Sequence, residues 1–151
     1  MKVSKAGLDL IKKYEGFLSY PYLDAVGVPT IGYGNTYYPN GVKVSMKDPH
    51  ITEELGEELL QIIVDRFEKG VLKLAQVSLT QNEFDALVSF AYNLGLGALG
   101  KSTLLAKINA NKKDPTIPNE FTKWTKAGGR HLRGLAKRRI EEALIFYIGH
   151  P

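Results

Sequence analysis

The chain's 151 residues, 44% hydrophobic and 24% charged with a formal net charge of +4, have the profile of one globular domain able to bury its own core. It contains no cysteine, which excludes disulfide staples, thiolate metal sites and a cysteine nucleophile. No apolar run nears the roughly 18 residues of a membrane span, and Asp9, Lys12, Lys13 and Glu15 interrupt any signal-peptide core behind the charged start.

Residues 4–18 read as an amphipathic helix, with Leu8, Ile11 and Leu18 in one arc and Lys5, Asp9, Lys12 and Lys13 opposite. Residues 20–45 change character. Pro21, Gly27, Pro29, Gly32, Gly34, Pro39 and Gly41 punctuate short runs rich in Val, Ile, Thr and Tyr, which predicts a small antiparallel sheet. Thr52 is placed as an N-cap with Glu53 and Glu54 in the first turn of a long helix running towards Leu74. Thr80 and Glu83 form a capping box before Phe84, Leu87, Val88 and Ala91. Further helices are expected at 102–110, 119–125 and 133–148. The fold class is therefore α+β: a small mixed lobe over about 12–51, and a helical lobe over about 52–151 on which the N-terminal helix packs. A cleft between two such lobes is the expected place for a substrate.

Charge is unevenly distributed. Residues 1–100 carry 9 basic and 12 acidic side chains, whereas residues 101–151 carry 11 basic and 4 acidic. A basic face of this kind attracts polyanions, although a solvated face without a specific partner fits equally well.

Gly95-Leu96-Gly97-Ala98-Leu99-Gly100-Lys101-Ser102 fits the phosphate-loop pattern, but that loop needs a buried strand entering it and the segment before it has helical spacing. A turn between helices is expected instead. His50, His131 and His150 are scattered, so no metal site and no cofactor is expected.

Glu15 is more informative, because it lies inside the apolar arc of the first helix while every other charge avoids it. Partial desolvation there favours the protonated carboxyl, as a general acid requires; an edge glutamate paired with an arginine is the plainer alternative. Asp24 follows in a turn entering the small sheet, and Thr30 six residues later. A hairpin turning around Val26-Gly27-Val28 would set Asp24 and Thr30 side by side, facing the end of the first helix. Two carboxylates in unlike environments are what glycoside hydrolysis needs.

The spacing Glu15-x8-Asp24-x5-Thr30 resembles the phage-type lysozymes, the endolysin muramidases of glycoside hydrolase family 24. The likeness runs through Asp24 to Thr36, Ala86 to Gly95, Ser102 to Leu105, Phe121 to Trp124 and the Ala127-Gly128-Gly129 segment to Glu141. It implies cleavage of the β-1,4 bond between N-acetylmuramic acid and N-acetylglucosamine in peptidoglycan. Glu15 takes the place of the acid, Asp24 that of the group orienting water, and Thr30 helps to hold that water. Inversion is implied, for which the carboxyl groups should stand about 6.5–9.5 Å apart. The resemblance also implies substrate contacts near Gly32, Tyr33 and Asn35, and pairing of the acid with Arg138 or Arg139. Many relatives have His where Asn35 stands.

A monomer is implied, made in the cytoplasm with no nucleic-acid partner. It would reach the wall after a holin or another permeabilising partner opens the membrane, because the first helix is not read as an anchor. Two alternatives remain: a lytic transglycosylase using Glu15 alone, and a non-catalytic wall-binding module.

Overall fold

The computed structural model describes residues 1–151. Its elements follow in the order α1 (Lys5–Glu15), β1 (Leu18–Leu23), β2 (Pro29–Gly32), α2 (Glu53–Leu74), α3 (Gln81–Leu94), α4 (Leu96–Lys101), α5 (Thr103–Ala110), α6 (Ile117–Thr122), β3 (Lys126–Ala127), β4 (Arg130–His131) and α7 (Arg133–Tyr147). Two antiparallel two-stranded sheets, β1–β2 and β3–β4, accompany the helices. This is the α+β arrangement expected, with differences that have local causes.

The chain divides into two compact units, Leu10–Arg66 and Met1–Asp9 with Phe67–Pro151. Both boundaries fall inside helices, α1 and α2, rather than at helix ends. The start of the chain belongs to the second unit because buried carboxylates hold it there. Glu68 accepts from the Val3 amide at 2.6 Å, and Asp85 accepts from the Ser4 amide at 3.0 Å and from the Ser4 hydroxyl. Asp85 also bonds Gln81 Nε2 and His150 Nε2, each at 2.8 Å, so one fully buried carboxylate gathers the two chain ends. Four partners are what such burial requires, since an unsatisfied buried charge is costly.

In the unit Leu10–Arg66, Leu10, Ile11, Ile31, Tyr33, Val44, Leu59, Leu60 and Val64 are buried. Helical periodicity through Leu18 gives way to a strand, because Leu18 pairs with Gly32 across β1–β2. The register then irregularly bulges, and Tyr22 pairs with Thr30 and Leu23 with Pro29. At the start of α2, Thr52 Oγ1 accepts from the Leu55 amide at 3.1 Å, which is the cap its sequence position predicts. One turn in, a Cβ on Gly56 would lie 2.5 Å from Phe17 Cε1, so only glycine lets α2 pass this close to the entry of β1.

In the other unit α3 is the central helix, with Phe84 through Ala91 all buried and both halves of its capping box formed between Thr80 and Glu83. It lies against α7, and α7 against α6. Phe90 meets Phe121 and Trp124 edge-on at 5.8 and 5.6 Å, and Phe121 meets Phe146 at 5.6 Å. Truncating any such core phenylalanine to alanine would cost about 3–5 kcal/mol.

The segment 95–102 is the false phosphate loop. It is entered from α3 rather than from a strand, and it forms the short helix α4 instead of the expected turn. Leu99 is wholly buried and anchors it, an instance of packing overriding the poor helix propensity of its glycines. The β3–β4 hairpin is an addition that the pattern reading did not contain. No helix is long and apolar enough to cross a membrane.

Candidate functional site

Glu15 is the last residue of α1 and is half-buried. Its carboxyl rests against the backbone of Gly34, which follows β2 in the turn closed by the Ile31–Asn35 bridge. A Cβ built on Gly34 would stand 2.9 Å from Glu15 Oε1 and 3.7 Å from Glu15 Cδ, and Gly34 itself has φ +83°. The glycine therefore serves twice: it adopts a backbone conformation that L side chains avoid, and it leaves room for the carboxyl.

Asp24 closes the β1–β2 hairpin. Its Oδ1 accepts from the amides of Val26 and Val28, each at 2.9 Å. Its own amide donates to the Val28 carbonyl at 3.0 Å, and the Gly27 amide donates to its carbonyl at 3.0 Å. This is the local side-chain-to-backbone bonding that aspartate makes in turns. Both side-chain bonds fall on Oδ1, so Oδ2 is left for a water or a ligand. Thr30 is buried, and its hydroxyl donates to the Val28 carbonyl at 2.8 Å. With its proton so directed, the hydroxyl can meet a further group only as an acceptor. The single residue Val28 thus ties Asp24 and Thr30 together, its amide held by one and its carbonyl receiving from both.

The register corrects one detail. Thr30 sits directly opposite Tyr22, and Asp24 lies two residues further along the hairpin rather than beside Thr30. Tyr22 was not singled out from the sequence. Period-two counting back from Asp24 would have found it on the same face. Its phenol is pushed up from the ordinary value, first by burial and then by the charges of Glu15 and Asp24.

Gly32, Tyr33 and Asn35 do not lie open in the way that substrate contacts require. Tyr33 is 4% exposed, and its hydroxyl donates to Glu53 Oε1 at 3.2 Å while its ring packs on Phe17 at 5.3 Å. Asn35 is wholly buried, next to a void of about 10 Å³ lined also by Tyr38, Leu59, Ile63 and Arg66. Gly32 is buried as well and would bring a Cβ to 3.4 Å from Ile51. In this conformation the three brace the segment that carries Gly34.

Arg138 and Arg139 are both buried in α7. Arg139 Nε lies 2.7 Å from Glu142 Oε1 and Arg138 Nε 3.3 Å from Glu142 Oε2, while Arg138 also donates to the Ser89 carbonyl at 3.2 Å. The Arg139 guanidinium stacks over the Phe90 ring at 5.1 Å. Burial pushes the Glu142 carboxyl up, opposed by Arg139 and then Arg138. No group of three His, Asp or Glu side chains is placed to hold a metal ion.

Comparison with known proteins supplies the family. The phage lysozyme family model matches residues 12–142. The endolysin of Bacillus phage B103 is 46% identical over 153 residues, covering 99% of this chain and 55% of that protein. An endolysin of Acyrthosiphon pisum secondary endosymbiont phage 1 is 37% identical over 150 residues, covering 97% of this chain and 98% of that one. The chain thus spans little more than half the length of the Bacillus phage relative. Among solved structures, the endolysin from Escherichia coli O157:H7 phage FAHEc1 superposes with a TM-score of 0.88 at 39% identity, covering 98% of this chain and 94% of that one. The muramidase domain of SpmX from Asticaccaulis excentricus gives 0.81 at 31% identity over 97% of each. On the match of the family model and of these relatives across almost all of its residues, the chain belongs to the phage lysozyme family.

Proposed function

We propose that this chain is an endolysin muramidase that hydrolyses the β-1,4 bond between N-acetylmuramic acid and N-acetylglucosamine in bacterial peptidoglycan. The observation that carries the reading is the pairing of two differently held carboxyls in a chain of this family. Glu15 is packed on Gly34 at the end of a helix, and Asp24 is pinned through one oxygen by two backbone amides. Glu15 protonates the glycosidic oxygen as the bond to the sugar lengthens. Asp24 takes a proton from the attacking water through Oδ2, and Thr30 accepts a hydrogen bond from that water. Attack from the face opposite the leaving group inverts the anomeric centre. The enzyme works without a cofactor, as a monomer, and meets the wall after a holin or similar partner has permeabilised the membrane.

The test is a digest of purified peptidoglycan by wild type and Glu15→Gln, with products read by mass and by the anomer first released. Reducing muramic-acid ends from wild type alone support the reading. Anhydro ends, lighter by one water, would make the chain a lytic transglycosylase. Binding without products from either protein would leave a wall-binding module.

A further inference from the structure

The outward face of α7 has a composition that the stability of the helix does not explain. At about 100° per residue, Arg133, Lys137, Ile140, Leu144, Tyr147 and Ile148 fall within one arc of about 100°. Ile148 belongs to it because its amide still closes a helical bond to the Leu144 carbonyl, at 2.8 Å. All six are exposed. The apolar four, Ile140 to Ile148 in chain order, show 51%, 51%, 45% and 79% of their surface. Buried Arg139, Glu142 and Phe146 lie on the opposite side, where α7 packs. Single exposed apolar side chains are ordinary, whereas four in register on one helix face form a strip.

The charges of α7 run opposite to the arrangement that stabilises a helix. Its first turn contains no acid and its last turn no base, although the macrodipole favours acids at the start and cations at the end. Arg133 and Lys137 instead extend the strip at its start, and the hairpin entering α7 adds exposed Lys126 and Arg130. At the other end Lys112 and Lys113 line a cavity of about 210 Å³ with Phe146 and Tyr147. Glu83 also lines that cavity and is paired with Lys112 at 3.0 Å. The carboxylate of α7 nearest the face, Glu141, is half-buried at its edge.

We propose that the outer face of α7 is a docking surface for an anionic phospholipid bilayer, on which the protein lies without crossing it. The face is about 22 Å long. Its apolar strip would sink among the acyl chains while the cations at both ends meet lipid phosphates. A soluble polyanion would satisfy the cations and leave the strip in water. A second copy would set basic ends against basic ends, at a cost in like-charge repulsion. The proposal is independent of the reaction assigned to Glu15 and Asp24.

The test is flotation of the whole chain with vesicles of equal parts phosphatidylglycerol and phosphatidylcholine, against vesicles of phosphatidylcholine alone. Wild type should float with the first and stay behind with the second. Each cation near an anionic leaflet is worth about fivefold in partition coefficient, so Arg133→Gln with Lys137→Gln should lower it about 20- to 30-fold. Ile140→Ser with Leu144→Ser should lower it about 10-fold, with the thermal midpoint unchanged because both side chains are already half in water. Absence of flotation would overturn the proposal. So would flotation that ignores Ile140→Ser with Leu144→Ser, since charge alone would then be acting. A wild-type dimer in sedimentation equilibrium that the same apolar double variant turns into monomer would overturn it too, by giving the face to a second copy.

Discussion

Gly34→Ala separates the positioning of Glu15 from the stability of the hairpin that carries it. A left-handed backbone costs an L residue about 1–2 kcal/mol, partly offset by about 0.4–1 kcal/mol from the stiffer unfolded chain. The new methyl would stand 2.9 Å from Glu15 Oε1, whereas ordinary van der Waals contact begins at 3.4 Å. The carboxyl must therefore retreat by roughly 0.5 Å. A misplacement of about 1 Å at a reacting group costs on the order of 100-fold, so a displacement of half that size should cost about 10-fold in kcat. Gly41 provides the control. Its φ is also +83°, and a Cβ there meets nothing within 4 Å. Gly41→Ala should then lose the same small stability, read as a thermal midpoint by circular dichroism, and no turnover. Release of reducing ends from peptidoglycan, measured well below both midpoints, gives the comparison. Equal turnover in the two variants would refute the argument that Gly34 is glycine to make room for Glu15.

Three further outcomes follow from other parts of the molecule. Glu142→Gln should destabilise the protein by roughly 3–5 kcal/mol, because it removes the buried negative charge that faces both Arg138 and Arg139; replacing Arg139 and Glu142 together with apolar residues should recover part of that loss in a chemical-denaturation series. Glu120 is held below the ordinary carboxylate value by hydrogen bonds from Lys107 and Lys123. Its folded pKa is thus lower than its unfolded one, so its contribution is full above the unfolded value and is lost as pH falls through the folded one; the midpoint difference between wild type and Glu120→Gln should shrink on acidification below about pH 4.5. On the wall-directed reading, the exposed cations Lys126, Arg130, Arg133 and Lys137 attract an anionic substrate. Added salt should slow cleavage of intact walls more than of a short uncharged oligosaccharide, and equal slowing would remove the steering role.

Much of this architecture is legible in the sequence because its signals are local. The capping box at Thr80 and Glu83, the cap at Thr52 and the apolar spacing through Phe84 to Ala91 report helices whose bonds close within a few residues. Chain order and spacing also single out Glu15, Asp24 and Thr30, and the turn chemistry of an aspartate ahead of Gly27 places the hairpin. The β3–β4 hairpin had a readable signal in Gly128-Gly129, both with positive φ, but strands of two residues carry no alternation to count. Helix α4 had no such signal: its glycines favour a turn, and burial of Leu99 makes it a helix.

What sequence alone determines here is the order of the elements, the chemistry available and the family pattern of three site residues. Tertiary structure decides which face each residue meets. The β1–β2 register brings Tyr22 rather than Asp24 opposite Thr30, while the packing of neighbouring segments buries Tyr33 and Asn35 and lays the Glu15 carboxyl on Gly34. Periodicity locates a side chain around its own helix or strand, but a contact between two elements depends on the register and packing of both, and no local pattern encodes that.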